Sequence, residues 1–89
     1  MNVYRLEPID AASPLWKYSE EKYTVWTCAA SVKDARDQVT AHTGFAAASE
    51  PGAVSPWQDD KVTSCVADPT MTYPDPGEVI REDGSKVDF

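Results

Sequence analysis

The stretch YTVWTCAAS, residues 23–31, decides the fold that this chain is expected to adopt. Its first seven residues are mostly β-branched or aromatic, which is typical of a β-strand. Side chains alternate along a strand, so both faces of this one carry bulk: Tyr23, Val25, Thr27 and Ala29 on one side, Trp26 and Cys28 on the other. A strand of this kind is expected near the centre of a sheet, with a helix over one face and loops or a partner over the other.

A helix is predicted directly after this strand, over residues 32–43. Ser31 is a good N-cap, and Asp34 three residues later completes a capping box. Gly44 suits the left-handed position that ends many helices. A stripe with helical spacing is formed by Val32, Ala35, Val39 and His42.

Further strands are predicted on both sides of this unit. Residues 3–7 alternate in the manner of a half-buried strand, and residues 61–67 form a run that Asp68-Pro69 ends. Asp83-Gly84 separates residues 78–82 from 85–89 and predicts a type I′ hairpin with Ile80 opposite Val87. In that register Arg81 lies opposite Lys86, an unfavourable pair of like charges.

The expected fold class is therefore α+β, in a single domain of residues 1–89 with the order β-β-α-β-β-β. One helix packs on one face of a small, antiparallel-rich sheet, and a C-terminal β-hairpin completes it.

Negative charge is concentrated in the second half of the chain. The net charge is −7, and residues 50–89 hold nine acids against only Lys61, Arg81 and Lys86. Direct nucleic-acid binding is not expected, because it requires clustered basic residues. An acidic surface can receive a basic partner, although solubility alone explains such acidity more often.

The sequence also carries expectations about location. Its longest uncharged stretch, residues 23–32, is too short and too polar to cross a bilayer. Residues 1–20 lack the pattern of a signal peptide, so a cytoplasmic protein with two reduced cysteines is expected.

Three kinds of chemical site can be considered, and none is predicted. Cys28, Cys65 and His42 could bind zinc together with Asp59 or Asp68, but the paired ligand spacing of zinc sites is missing. Either cysteine could be a nucleophile with His42 as base, although acidic surroundings are expected to raise the pKa of Cys65. The acids of residues 59–60 do not match a calcium loop. No catalytic residue, metal or cofactor is therefore predicted.

The aromatic residues are the best candidates for a binding function. One helix covers only one sheet face, so some of the seven tryptophan and tyrosine rings must lie under loops or on the surface. The loops that hold Trp16 and Trp57 are expected to cover most of the second face and to leave a small aromatic patch. The stretch SPWQDD, residues 55–60, is interpreted mainly as the entry to a strand. The candidate partner-binding residues are Trp16, Trp26, Trp57, Tyr73, Asp59 and Asp60.

The chain resembles small bacterial and phage-borne proteins with no assigned activity. The resemblance lies in YTVWTCAAS followed by Asp34-Ala35-Arg36, and later in Ser55-Pro56-Trp57 before the Cys65 strand. The resemblance covers about half of the chain and implies no activity and no functional residue.

The function predicted from the sequence is that of a non-enzymatic, monomeric protein-interaction or regulatory module. Its partner is expected to be another protein, with no membrane contact. An alternative is an acidic decoy that occupies a nucleic-acid-binding groove, as some phage inhibitors of bacterial defence complexes do. A small cysteine-dependent enzyme is the third possibility.

Overall fold

The computed structural model describes residues 1–45 and 50–89 of the chain. Over these residues the four strands are β1 (Asn2–Pro8), β2 (Val25–Ala29), β3 (Thr63–Ala67) and β4 (Val79–Ile80), and the α-helix is α1 (Val32–His42). They form one antiparallel sheet with the strand order β3-β1-β2-β4. The α+β fold class with a small antiparallel sheet is thus confirmed.

The pairing register divides the sheet into two faces. Leu6 lies opposite both Val25 and Cys65, on the face that α1 covers, which we call the helix face. Trp26 lies opposite both Arg5 and Ile80, on the other side, which we call the outer face. Strand β2 is central, as predicted.

Local sequence signals set the limits of α1. The Ser31 hydroxyl accepts a hydrogen bond from the Asp34 amide at 3.1 Å, which confirms the predicted N-cap. Gly44 has φ of +85°, a conformation that favours glycine, just beyond the helix end. Ala35 and Val39 are fully buried, whereas Val32, the first residue of the predicted stripe, is 44% exposed.

Two tryptophans pack together on the helix face. Trp16 belongs to a 3₁₀ helix at Pro14–Tyr18, and Trp57 to another at Pro56–Gln58. Their rings meet edge to face with centroids 5.1 Å apart, and both join the cluster of buried residues under α1. The expectation that these loops cover the outer face is therefore wrong.

The cause of this difference is a turn that both segments share. In each, a serine caps a 3₁₀ helix that starts with proline, and its hydroxyl accepts an amide hydrogen bond from Leu15 or Trp57. The turn directs the indole inward, where its N–H still finds an acceptor: Trp16 donates to the Asp10 carbonyl at 2.8 Å and Trp57 to the Ser19 hydroxyl at 2.9 Å. The interpretation of residues 55–60 as a structural entry agrees with this burial.

The C-terminal hairpin differs from the prediction in its turn and its register. Ile80 forms a bridge with Lys86 instead of Val87, and residues 85–89 do not form a strand. The Gly84 amide bonds to the Arg81 carbonyl at 3.0 Å and the Arg81 amide to the Ser85 carbonyl at 2.8 Å. Over residues 1–45 and 50–89 only glycines have positive φ, which excludes a type I′ turn at Asp83. The observed order is therefore β-β-α-β-β.

This register resolves the predicted clash of like charges. Arg81 turns to the carboxylate of Glu21, and the Lys86 ammonium lies 2.7 Å from a carboxylate oxygen of Glu78. Each cation in the hairpin thereby gains an anionic partner instead of facing the other.

Candidate functional site

A cleft opens where β2 begins and β4 ends, two positions that the antiparallel pairing brings to the same end of the sheet. Its volume is about 620 Å³. One wall comes from the segment that enters β2 and the other from the turn that follows β4. The residues that line it are Glu21, Tyr23, Thr24, Trp26, Arg81, Glu82 and Asp83.

An ion pair ties the two walls together. The Arg81 guanidinium donates from Nε to Oε1 of Glu21 at 3.1 Å and from Nη2 to Oε2 at 3.2 Å. Its remaining nitrogen, Nη1, donates to the Lys86 carbonyl at 3.1 Å and to the Ser85 hydroxyl at 3.3 Å. Because every nitrogen of the guanidinium is engaged, Arg81 holds the cleft in shape and offers little free positive charge to a ligand.

The aromatic residues of the cleft differ in exposure and in hydrogen bonding. Tyr23 precedes β2 and is 78% exposed, although the sequence analysis had placed it inside the strand. Trp26 is only 8% exposed, and its indole N–H donates to Oδ2 of Asp68 at 3.0 Å. Trp26 therefore forms a fixed surface, and Tyr23 extends beside it into solvent.

Asp68 is the residue that orients Trp26. Its other oxygen accepts the Thr70 hydroxyl at 2.6 Å, and Arg5 approaches within 3.4 Å. The hydrogen bonds from Thr70 and Trp26, helped by the Arg5 charge, lower the pKa of Asp68 to about 2. The carboxylate that accepts the indole hydrogen bond is thus ionised at neutral pH.

The rim of the cleft is acidic. Glu82 and Asp83 are both exposed at the tip of the hairpin. Hydrogen bonds from the Ser85 hydroxyl and amide to Oδ1 lower the pKa of Asp83. Since the lining holds three acids and one arginine, its formal charge is −2 at neutral pH.

The residues proposed from the sequence as a partner-binding set do not form one surface. Trp16 and Trp57 are buried on the helix face, which leaves Trp26 as the one member that lines the cleft. Tyr73 is 66% exposed but lies outside the lining. Asp59 caps the approach to β3 by accepting the Lys61 amide at 2.9 Å, and Asp60 is exposed beside it.

Sequence reasoning missed Tyr23, Glu82 and Asp83. The sequence pattern predicts only a turn role for Asp83 and only a strand position for Tyr23. A usable signal was the position of Tyr23 directly after Glu20-Glu21-Lys22, where a charged segment leads into the strand. The pairing of β2 with β4, which brings these residues together, has no local signal in the sequence.

The cysteines and the histidine do not converge. Cys28 lies on the outer face and Cys65 on the helix face, so the two cannot form a disulfide within the chain. Burial raises the pKa of the Cys65 thiol, with the Arg36 charge opposing it, whereas the sequence analysis attributed a raised pKa to acidic neighbours. The His42 imidazole contacts the Val87 carbonyl at 3.2 Å and an Asp88 oxygen at 3.8 Å.

These positions provide no thiol–imidazole pair for covalent catalysis. In the part of the chain that the structure describes, no group of three or more His, Cys, Asp or Glu side chains could hold a metal ion. Nor does any helix within the described ranges have the length and apolar character needed to span a membrane.

A second cavity, of about 200 Å³, lies beside the C-terminal end of α1. His42, Glu78 and Lys86 are among its lining residues, and the charges of the last two neutralise each other at 2.7 Å. This cavity is smaller than the cleft, and its lysine is paired with its own glutamate.

No protein-family model, curated protein or solved structure matches this chain. The function must therefore be inferred from the cleft itself.

Proposed function

We propose that this chain is a non-enzymatic protein-interaction domain whose partner docks at the cleft. The observation that carries the proposal is the pairing of a solvent-exposed tyrosine, Tyr23, with the fixed ring of Trp26 at a concave surface. Tyrosine and tryptophan dominate binding energies at protein interfaces, and they do so most often in pockets.

The way the cleft is built supports binding. Trp26 is held by Asp68, and the two walls are joined by the ion pair of Glu21 and Arg81. A partner therefore meets a surface that is already ordered, and little conformational entropy is lost when it binds. Tyr23 is the residue that has the most exposed surface to lose on docking.

The size of the cleft supports a particular kind of interaction. A volume of about 620 Å³ accommodates one or two side chains of a partner and their backbone. This suits a transient complex with a small interface, below about 1,200 Å², better than an obligate dimer. The domain is accordingly proposed to act as a cytoplasmic monomer that binds a second protein.

Affinity capture from a lysate of the source cells tests the proposal. The wild-type chain, Tyr23→Ala and Phe89→Ala are immobilised, and recovered proteins are quantified by mass spectrometry. Phe89 is the matched control, because it is an aromatic side chain that is 59% exposed and lies outside the cleft. We expect a protein that the wild type and Phe89→Ala recover equally and that Tyr23→Ala loses. Recovery of the same proteins by all three chains would show that the cleft is not the docking site.

A further inference from the structure

We infer that the cleft receives a cationic side chain, an arginine or lysine carried by a basic segment of the partner. This inference rests on the proposed function and specifies the chemistry of the partner. It follows from which charges in the cleft are already satisfied and which are free.

The positive charge of the cleft is used within the protein. All three nitrogens of the Arg81 guanidinium donate to Glu21, Ser85 or Lys86. An anionic ligand would have to displace the buried Glu21 carboxylate, of which only 7% is exposed. Anions are therefore disfavoured at this site.

The negative charge of the cleft is available to a ligand. Glu82 and Asp83 are exposed at the rim, and Asp83 uses one oxygen, Oδ1, to accept both of its hydrogen bonds from Ser85. Besides Arg81, the basic residues nearest to the cleft in the sequence are Lys22 and Lys86, which are exposed and do not line it. A cation that enters meets Glu82 and Asp83, while Arg81, the one cation of the lining, is paired with Glu21.

The aromatic walls favour the same kind of ligand. The one polar atom of the Trp26 side chain donates to Asp68, so the part of this side chain that lines the cleft is aromatic carbon. Tyr23 adds a second ring. Aromatic faces attract ammonium and guanidinium groups, and a site that combines such faces with carboxylates selects cations over neutral side chains.

The charge of the whole domain acts in the same direction. A net charge of −7 repels acidic partners and accelerates the approach of basic ones. The field brings a basic segment to the surface, and the cleft then selects one side chain of that segment.

The inference is tested with two capped peptides of the sequence Ala-Arg-Ala-Arg-Ala, one with arginine and one with the neutral isostere citrulline in its place. Binding to the isotope-labelled full chain is followed by amide NMR. We expect the arginine peptide to shift the Trp26 indole N–H and the amides of Tyr23, Thr24 and Glu82, and the citrulline peptide to leave them unchanged. Raising sodium chloride from about 20 mM to about 500 mM should weaken binding by screening the rim charges.

Variants of the chain then locate the interaction. Glu82→Gln should weaken arginine-peptide binding by about threefold, as should Asp83→Asn, which keeps the Oδ1 acceptor for Ser85. Tyr23→Ala should weaken it by about fivefold. Asp60→Asn, an exposed acid outside the cleft, is the matched control and should change nothing.

Two results would overturn the inference: equal binding of the citrulline peptide, or an equal loss of affinity in Asp60→Asn and Glu82→Gln. The second result would mean that general acidity alone attracts the peptide. If arginine is not preferred but captured partners still depend on Tyr23, the docking site stands and its cation selectivity is wrong. If arginine binds at the cleft but no captured protein depends on Tyr23, the selectivity stands and the docking function is wrong.

Discussion

The two faces of the sheet bury their tryptophans in opposite ways. On the helix face, Trp16 and Trp57 are closed in by α1 and by each other, and their indole N–H groups meet a backbone carbonyl and a serine hydroxyl. On the outer face, Trp26 is covered to 92% without any helix, and its N–H meets an ionised aspartate.

This difference separates stability from binding. On the helix face the indole N–H groups donate to neutral acceptors. Burial there stabilises the fold without the cost of desolvating a charge. On the outer face the hydrogen bond to the ionised Asp68 fixes the orientation of Trp26, and a cleft lies open beside this residue. Substitutions on the helix face should therefore change folding most, and substitutions of the exposed residues of the cleft should change binding.

The largest effect is expected from Trp57→Ala. The side chain is fully buried, so its removal leaves a cavity against Trp16 and should destabilise the fold by about 3–5 kcal/mol. For a domain of this size such a loss approaches the whole stability, so urea denaturation should give little or no folded baseline.

Trp57→Phe keeps the experiment interpretable. It retains most of the volume and loses the hydrogen bond to Ser19, so a cost of only about 1 kcal/mol is expected together with a clear two-state transition. If Trp57→Ala unfolds at the wild-type urea concentration, the helix face is not the main source of stability and the comparison of the two faces fails.

The second effect is expected from Glu21→Gln at the base of the cleft. The substitution removes a charge that is 7% exposed and leaves Arg81 without its anionic partner, which should cost about 2 kcal/mol in urea denaturation. Glu82→Gln is the control, since an exposed rim carboxylate should contribute less than about 0.5 kcal/mol. Equal midpoints for the two variants would show that the ion pair does not hold the walls of the cleft.

What could be predicted from the sequence depended on the range of the interactions involved. Ser31, Gly44 and the β-branched run around Val25 act over a few residues, and they predicted the helix start, the central strand and the fold class correctly and the helix end to within one residue. Both 3₁₀ helices begin with Ser-Pro, at Ser13-Pro14 and at Ser55-Pro56, so the repeated pattern itself is visible in the sequence. Its meaning is not, because the direction of an indole depends on the surface it packs against.

The hairpin and the cleft show where local reasoning fails. Asp83-Gly84 is compatible with more than one turn type, and the turn observed lets Arg81 reach Glu21, which is 60 residues away. The cleft forms only because β2 pairs with β4, which joins Tyr23 to Glu82 and Asp83. Such pairings depend on the whole chain, and a single sequence contains no local sign of them.

A smaller effect, confined to acid, is expected from Asp68→Asn. The folded-state pKa of Asp68, about 2, lies below its ordinary value of 3.8, so the carboxylate stabilises the fold fully above that value. As the pH falls from about 4 to about 2, the unfolded chain takes up the proton first and this stabilisation is lost.

The measurement compares urea midpoints of the wild type and Asp68→Asn near pH 7 and at about pH 2.5. The wild type should be more stable than Asp68→Asn near neutrality, and most of this difference in stability should disappear at about pH 2.5. Asp60→Asn, an exposed acid, controls for the change in net charge. A gap that stays constant with pH would mean that Asp68 contributes only through the shape of its side chain.

The smallest effect on stability, and the most informative for the comparison, is expected from Tyr23→Ala. This side chain is 78% exposed and lies outside β2, so its loss should change the free energy of unfolding by less than about 0.5 kcal/mol. The same variant should lose the captured partner and weaken the arginine peptide, while Phe89→Ala keeps both. The Trp26 indole N–H resonance should also shift in NMR spectra, because Tyr23→Ala removes a second ring from the cleft that Trp26 lines.

A large loss of stability in Tyr23→Ala would mean that this tyrosine covers the outer face and is not available to a partner. The outer face would then resemble the helix face, with aromatic residues that serve folding alone.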